Sequence, residues 1–425
     1  MKKFWFLFYN LFIVPVLYLG VRIVGLYNNK VKRGIKGRRR IFEELIVNAA
    51  AIQKSNKLIW FHSSSLGEFE QAKPIIEELK KNKEINILVT FFSPSGFDNS
   101  RKYPFADLVS YLPFDTKASA AKFILIVKPR LSVLMRYDIW PNLIWAMRSF
   151  NIPIFLVDAT MNENSHRKFP IIKNFHKYLF RDVTKILTVS KSDADGFREF
   201  GCTDNQLKAV GDTRFDRVYQ RSLSARSHNL LKTDFFKNKK MFVAGSTWEA
   251  DEEVILPAFS KLAKNDDDVI LIIAPHEPTI IHLEKIENEF SGDLETIRFS
   301  FMNNYKGERV IIIDSIGILL TLYTYADAAY VGGSFKQGIH NVLEAAVYGI
   351  PVLFGPKIEN SHEAKELLKL RSGILIRNKK EAYRTLRMLF LDEVLRKEKG
   401  AISYNYVQKN LGATEKILRE INQAL

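Results

Sequence analysis

Three stretches carry side chains suited to acid–base and anion chemistry, each just after a short apolar run. Residues 58–62 (LIWFH) lead into Ser63-Ser64-Ser65-Leu66-Gly67-Glu68. Glu68 then sits at a helix N-terminus in a strand-end loop, where the dipole keeps a carboxylate ionised and able to act as a general base. Ahead of that on sequence grounds stands the other reading, that Ser65-x-x-Glu68 is a capping box that fixes the helix end and does no chemistry. Asp138 follows the apolar run 131–135 and precedes Ile139-Trp140-Pro141-Asn142, as a site carboxylate or as a cap or turn residue. Arg214, in Gly211-Asp212-Thr213-Arg214-Phe215-Asp216, can meet a phosphate or carboxylate, or pair at the surface with Asp212 or Asp216.

The second half holds a different chemistry. Residues 329–331 are apolar, Gly332 and Gly333 form a turn before Ser334, and Asn341 suits the N-cap of a helix over 342–348 that Gly349 and Pro351 stop. A Gly-rich turn feeding a helix N-terminus offers N–H groups and a dipole to phosphate, and Glu344, one turn in, can reach a ribose hydroxyl. The other reading is an ordinary strand-to-helix turn with a capping Asn. Gly245-Ser246-Thr247-Trp248-Glu249 is a second anion cradle, or a helix start capped by Ser246 or Thr247. Pro275-His276-Glu277 closes another strand, its histidine a ligand or a structural residue. The eight histidines show no HExxH-like pairing and Cys202 is the only cysteine, so neither a metal site nor an internal disulfide is expected.

These residues need elements to hold them. Apolar runs alternate with helical patterns from 58 to 218, with strands expected at 58–62, 85–92, 109–112, 131–135, 154–157 and 186–189. That alternation predicts a doubly wound α/β domain. Residues 219–240 are polar and poorly patterned, a linker. The alternation restarts over 241–425, with strands at 241–244, 269–274, 310–313, 329–331 and 351–354. Two such domains, 58–218 and 241–425, predict ligand binding in a cleft at the carboxyl ends of their sheets.

The chain has 425 residues, 47% hydrophobic and 26% charged, the composition of a folded globular protein. Its formal net charge of +16 favours anionic partners: a phospholipid surface, a phosphorylated substrate or nucleic acid. Residues 4–21 are apolar apart from Asn10, long enough to approach a hydrocarbon core of about 30 Å. Residues 1–28 are therefore expected to be a membrane anchor, spanning or lying in the interface, with a buried helix as the alternative. The next segment, 29–57, opens with Lys30, Lys32, Arg33, Lys36, Arg38, Arg39 and Arg40, which suit anionic headgroups and place the remainder of the chain on the cytoplasmic side. No aromatics are interleaved in that run, which argues against single-stranded nucleic acid.

Taken in order, the anchor, SSSLGEFE, YDIWPN, GDTRFD, AGSTWEADEE, DSIG and GGSFKQGIHNVLEAAVYGIPVLFGP resemble the bacterial Kdo (3-deoxy-D-manno-octulosonic acid) transferases over nearly the whole chain. The resemblance implies a GT-B glycosyltransferase of two Rossmann-like domains on the inner membrane. It implies CMP-Kdo as donor, a lipid A precursor as acceptor, and no cofactor. It makes Glu68 the base, with Asp138 and Arg214 supporting the transition state. It lays CMP against Pro275 and His276, against Ile316, Gly317 and Ile318, and against Asn341, Val342, Leu343 and Glu344, beside Gly333 and Ser334 of the glycine turn. This chain departs from the family pattern in several places. Asp138 stands for Glu, Arg214 for Lys and Ile318 for an acidic residue. The arginine usual beside Pro275 and His276 is missing, and Thr160-Met161-Asn162 replaces Arg-Leu-Ser.

Overall fold

A computed structural model describes residues 2–52, 57–161, 165–231 and 233–425; Asn162 lies outside them. Two α/β units are present, Met1–Arg217 together with Leu411–Leu425, and Val218–Asn410.

The first unit is built on a seven-stranded parallel sheet of order β3-β2-β1-β4-β5-β6-β7. The strands are β1 (Lys57–Ser63), β2 (Ile85–Phe91), β3 (Leu108–Tyr111), β4 (Leu131–Met135), β5 (Ile154–Ala159), β6 (Lys185–Thr188) and β7 (Leu207–Ala209). Helices cover both faces, so the inner strands are buried and mainly apolar. Side chains alternate between the two cores: Ile59, Phe61, Ile87 and Val89 enter one, Trp60 and Leu88 the other.

The second unit repeats the plan, with order β10-β11-β9-β8-β12-β13-β14. Its strands are β8 (Lys240–Thr247), β9 (Val269–Pro275), β10 (Thr296–Arg298), β11 (Val310–Ile312), β12 (Ala328–Val331), β13 (Val352–Phe354) and β14 (Gly373–Leu375).

The expected boundaries need correction. A helix, Thr213–Ala225, runs through the start of the expected linker, burying Phe215, Val218, Ser222 and Ala225. That stripe is one residue wide, too narrow to stand out among polar neighbours. At the other end, the helix Ala413–Ala424 belongs to the first unit, where Ile417 and Ile421 join the core. Glu420 pairs there with Lys208 (2.7 Å) and Lys185 (3.3 Å), and Asp216 accepts the Gly412 and Thr414 N–H groups at 2.7 and 2.6 Å.

The N-terminal segment is helical from Lys2 to Tyr27, with a π turn at Tyr9–Ile13 just before Pro15. Pro15 cannot donate to the carbonyl four residues back, and the wider turn absorbs the mismatch. Lys3–Tyr27 is long and apolar enough to cross a membrane, with mean hydropathy 1.9. One face is docked on the first unit. The Tyr9 hydroxyl donates to Asp115 (2.9 Å), Asn10 and Asn142 exchange amide hydrogen bonds at 3.0 Å, and Tyr9 stacks on Phe175. Phe4, Leu11, Phe12, Val16 and Leu19 on the remaining surface are exposed.

Candidate active site

The order of the first sheet reverses between β1 and β4, and the loops after such neighbouring strands open a crevice at their carboxyl ends. Glu68 follows β1 and Asp138 follows β4. Between them stands a residue the sequence did not mark as chemical. His62, at the end of β1 and fully buried, has Nε2 at 2.6 Å from Asp138 Oδ2, and its Nδ1 lies 2.9 Å from Thr90 Oγ1. Trp60 Nε1 donates to the same threonine oxygen at 2.8 Å. The His62 Nδ1 also lies 3.1 Å from the Thr90 carbonyl oxygen, so Trp60, Thr90, His62 and Asp138 form one continuous buried hydrogen-bonded chain. The Ser64 hydroxyl donates to the same carboxylate oxygen. Asp138 is therefore neither a cap nor a free turn carboxylate; the N-cap of the next helix is Trp140. Burial alone would raise the Asp138 carboxyl, but the hydrogen bonds from His62 and Ser64 outweigh it and hold it below the usual range.

Glu68 is half-buried in the first turn of the helix Leu66–Leu79, and accepts the Ser64 N–H at 2.7 Å. The capping box is not formed: Ser65, the N-cap, provides no side-chain cap, and Glu68 accepts the N–H of Ser64, the residue before that cap. Burial pushes the Glu68 carboxyl up, the Asp138 charge adds to this, and the Ser64 N–H only partly opposes it. Two neighbouring carboxyls thus have affinities driven apart, the pattern that separates a proton acceptor from a fixed charge.

Arg214 is held by the nearer of its two proposed partners. Its Nε and Nη2 donate to Asp212 at 2.9 and 2.6 Å, while Asp216 serves the C-terminal helix. Asp158, fully buried at the end of β5, accepts from Thr213 N at 3.2 Å and from its hydroxyl, and so pins this turn. Burial, then the Asp212 charge, raises the Asp158 carboxyl. Arg136, Asp158 and Ser246 take left-handed backbone (φ 60°, 51° and 53°). All three lie at carboxyl ends of strands, where such strain tends to gather around sites.

In the second unit the order reverses between β8 and β12. The glycine turn after β12 is occupied by the protein itself. Gly333 (φ +87°) donates its N–H to the buried carboxylate of Asp251 at 2.8 Å, and a Cβ on Gly332 would lie 2.1 Å from the Ser246 carbonyl oxygen. The expected free N–H groups at this turn give way to a tight β8–β12 seam. Ser334 is fully buried and its Oγ accepts the Gly355 N–H at 2.6 Å, so it ties the loop after β12 to the loop after β13. The helix expected over 342–348 is a single turn, Leu343–Ala346, whose N-cap is Val342 and not the expected Asn341; the Asn341 Oδ1 accepts the Leu343 N–H at 3.1 Å. Val342 and Leu343 are buried; Glu344 lies 3.7 Å from Arg221. At the β8 end the N-cap is Trp248, not Ser246 or Thr247, and Asp251 accepts its N–H at 3.0 Å. Pro275 ends β9, and Ile316 is exposed in a turn where Gly317 has φ +93° and Ile318 caps the next helix.

His276 is exposed and stacks on Trp248 (4.8 Å) and His340 (4.4 Å). Trp248 Nε1 donates to His340 Nε2 at 3.1 Å, which requires that nitrogen unprotonated. Burial, then the nearby His276, pushes His340 down to about 4, in accord with a neutral ring. The pairing of Trp248 with His340 escaped the sequence reading because the two come from different loops, joined only by the order of the sheet. Among the described residues, no cluster of three or more His, Cys, Asp or Glu is placed to hold a metal ion.

The sequence model of the family described as 3-deoxy-D-manno-octulosonic-acid transferase (kdotransferase) matches residues 38–217. The chain is 32% identical over 327 residues to the 3-deoxy-D-manno-octulosonic acid transferase of Aquifex aeolicus, covering 76% of this chain and 83% of that one. It is 27% identical to that of Haemophilus influenzae, with 97% of each covered. A bifunctional glycosyltransferase/methyltransferase of Fusobacterium nucleatum is 29% identical over 337 residues, and the chain spans about half of it, 52%, using 77% of its own length. Among solved structures, UDP-GlcNAc 2-epimerase from Neisseria meningitidis has TM-score 0.60 at 15% identity, covering 86% of this chain and all (100%) of that one. That likeness bears on the fold alone, which is of the GT-B type. The sequence relatives lead to one conclusion: this chain belongs to the 3-deoxy-D-manno-octulosonic acid transferases, a family of glycosyltransferases.

Proposed function

We propose that the protein transfers Kdo from CMP-Kdo to a lipid A precursor, by direct displacement with inversion and without a metal or cofactor. The observation that carries this reading is the carboxyl pair at the ends of β1 and β4, Glu68 raised and Asp138 lowered, in a chain of this family. Ionised Glu68 takes the proton of the acceptor hydroxyl as its oxygen bonds to the anomeric carbon. The bond from that carbon to the CMP phosphate breaks, and CMP leaves with the electron pair. A phosphate ester is already a good leaving group, so the residues need only remove one proton and stabilise charge. Asp138 and Arg214 serve the second need.

The donor nucleotide is assigned to the second unit, against Pro275 and His276, the turn at Ile316, Gly317 and Ile318, and the segment Asn341 to Glu344. The exposed His276 face, backed by Trp248 and His340, suits a flat base. We further propose that the protein works on the cytoplasmic face of the inner membrane. Its N-terminal helix would lie in the interface, fixed to the first unit through Tyr9 and Asn10, while the basic segment after it meets anionic headgroups.

The test is purified protein, CMP-Kdo and a tetraacylated lipid A precursor, read by mass spectrometry with and without a chelator. Addition of Kdo in both conditions is expected. Turnover only with a different nucleotide sugar, or only without chelator, overturns the donor or the metal-free assignment respectively.

A further inference from the structure

A groove runs between the N-terminal helix and the loops of the first unit, with a cavity of about 300 Å³ whose walls include Leu17, Tyr18, Val21, Phe92, Phe114 and Trp140. Asp115 also borders it, with its carboxylate engaged by the protein: it accepts from the Tyr9 hydroxyl (2.9 Å) and from the Asn142 and Leu143 N–H groups (3.0 Å each), and burial pushes its pKa up to about 6. The floor is fixed by a buried cation. Arg38 donates to the Leu112, Phe92 and Gly34 carbonyls at 2.7, 2.6 and 2.9 Å, and its guanidinium lies over the Phe92 and Phe114 rings.

The two ends of the groove differ. At one, Tyr18 and Phe114 also wall a second cavity of about 510 Å³, bordered by Arg22, Lys32, Lys36 and Arg39 and by no carboxylate. At the other, Trp140 stacks on Phe92 at 4.7 Å and stands two residues beyond Asp138. Phe92 precedes Ser93, whose N–H donates to the Ser64 carbonyl at 3.0 Å. One pair of loops thus walls both the apolar groove and the carboxyl site.

An apolar slot with a cationic mouth is complementary to an anionic amphiphile. Continuity with the carboxyl site selects the reacting lipid over bulk phospholipid as the occupant. We propose that this groove binds one acyl chain of the lipid acceptor, with the basic wall facing an acceptor phosphate. This rests on the acceptor assigned above and adds where its tail is held. Each methylene buried there strengthens binding by about fourfold.

The test compares tetraacylated and fully deacylated lipid A precursor, using full-length protein in detergent and the variant Val21→Trp, which fills the groove from the helix. The expected result is a KM for the acylated acceptor at least about tenfold higher. The kcat, the KM for CMP-Kdo and the rate on deacylated acceptor should stay within about twofold. Equal effects on both acceptors, or none, overturn the proposal. So does a parallel loss of binding to phosphatidylglycerol vesicles, which would make the groove a bilayer contact. If Val21→Trp does not melt cooperatively, Leu17→Asn puts a polar group in the same slot and is read the same way. Equilibrium binding of both acceptors without donor separates this claim from the reaction. If wild type prefers the acylated form and the variant loses that preference, the groove stands even if no Kdo is transferred. Absence of transfer then overturns the proposed reaction alone.

Discussion

Glu68→Gln keeps the oxygen that accepts from the Ser64 N–H and removes the proton acceptor. Turnover should fall about 10²–10⁴-fold, the usual worth of a positioned base, with donor affinity intact. The effect on stability is set by linkage. A carboxyl whose folded pKa lies above its unfolded value stabilises the fold when protonated, and that contribution is lost as pH rises through the folded pKa. At neutral pH Glu68→Gln should therefore melt at or slightly above wild type; a clear fall in Tm with unchanged turnover would mean that the residue serves only the helix end. Asp138→Asn tests the coupling. The Asp138 charge helps to raise Glu68, so its removal should move the acid limb of the kcat/KM profile to lower pH. A limb that stays in place would show that Glu68 is not the group titrating. The strand-end positions of both carboxylates were legible in the sequence, though each also read as a cap or turn residue there. His62, Thr90 and Trp60 were not, because their adjacency is created by β1 lying between β2 and β4, and His62 reads as the last residue of an apolar strand.

At the scale of elements, the glycine turn after β12 shows how one signal served two readings. Gly332 and Gly333 are required, yet for backbone contact within the protein, not for an open phosphate cradle. Gly332→Ala would drive a methyl into the Ser246 carbonyl across the β8–β12 seam, where backbone on both sides is locked in the sheet. A loss of at least about 2 kcal/mol is expected, seen as a lower urea midpoint of the second unit. An unchanged midpoint would show that the seam relaxes. The inner strands were legible in the sequence because their runs are mainly apolar, and one edge strand, β3, was legible with them. The three that were missed, β7, β10 and β14, are three-residue edge strands. An edge strand is paired on one side only, so its sequence carries half the signal: in β7, Lys208 and Ala209 face solvent. The single-turn helix Leu343–Ala346 was overdrawn for the opposite reason, since its apolar residues continue into a turn at Gly349, φ +73°.

At the scale of the molecule, the alternation of strands and helices revealed two units but not which unit owns the last helix. Chain order says the second; Ile417 and Ile421, both fully buried in the first unit's core, say otherwise. Removing Leu411–Leu425 exposes those two side chains' pocket, worth about 1.5–3 kcal/mol each. It also leaves Asp216 without the Gly412 and Thr414 N–H groups, and Lys208 without Glu420. Against a typical domain stability of about 5–15 kcal/mol, that is a large share. A chain ending at residue 410 should therefore lose stability in its first unit, by on the order of 10 °C in Tm, while the second unit's transition is unmoved. The segment 218–410 expressed alone should melt cooperatively. Residues 1–217 alone should not, and joining 411–425 to their end through a flexible linker should restore the transition. If instead residues 1–217 fold unaided with the wild-type midpoint, the C-terminal helix is an accessory, and the first unit's core is complete without Ile417 and Ile421.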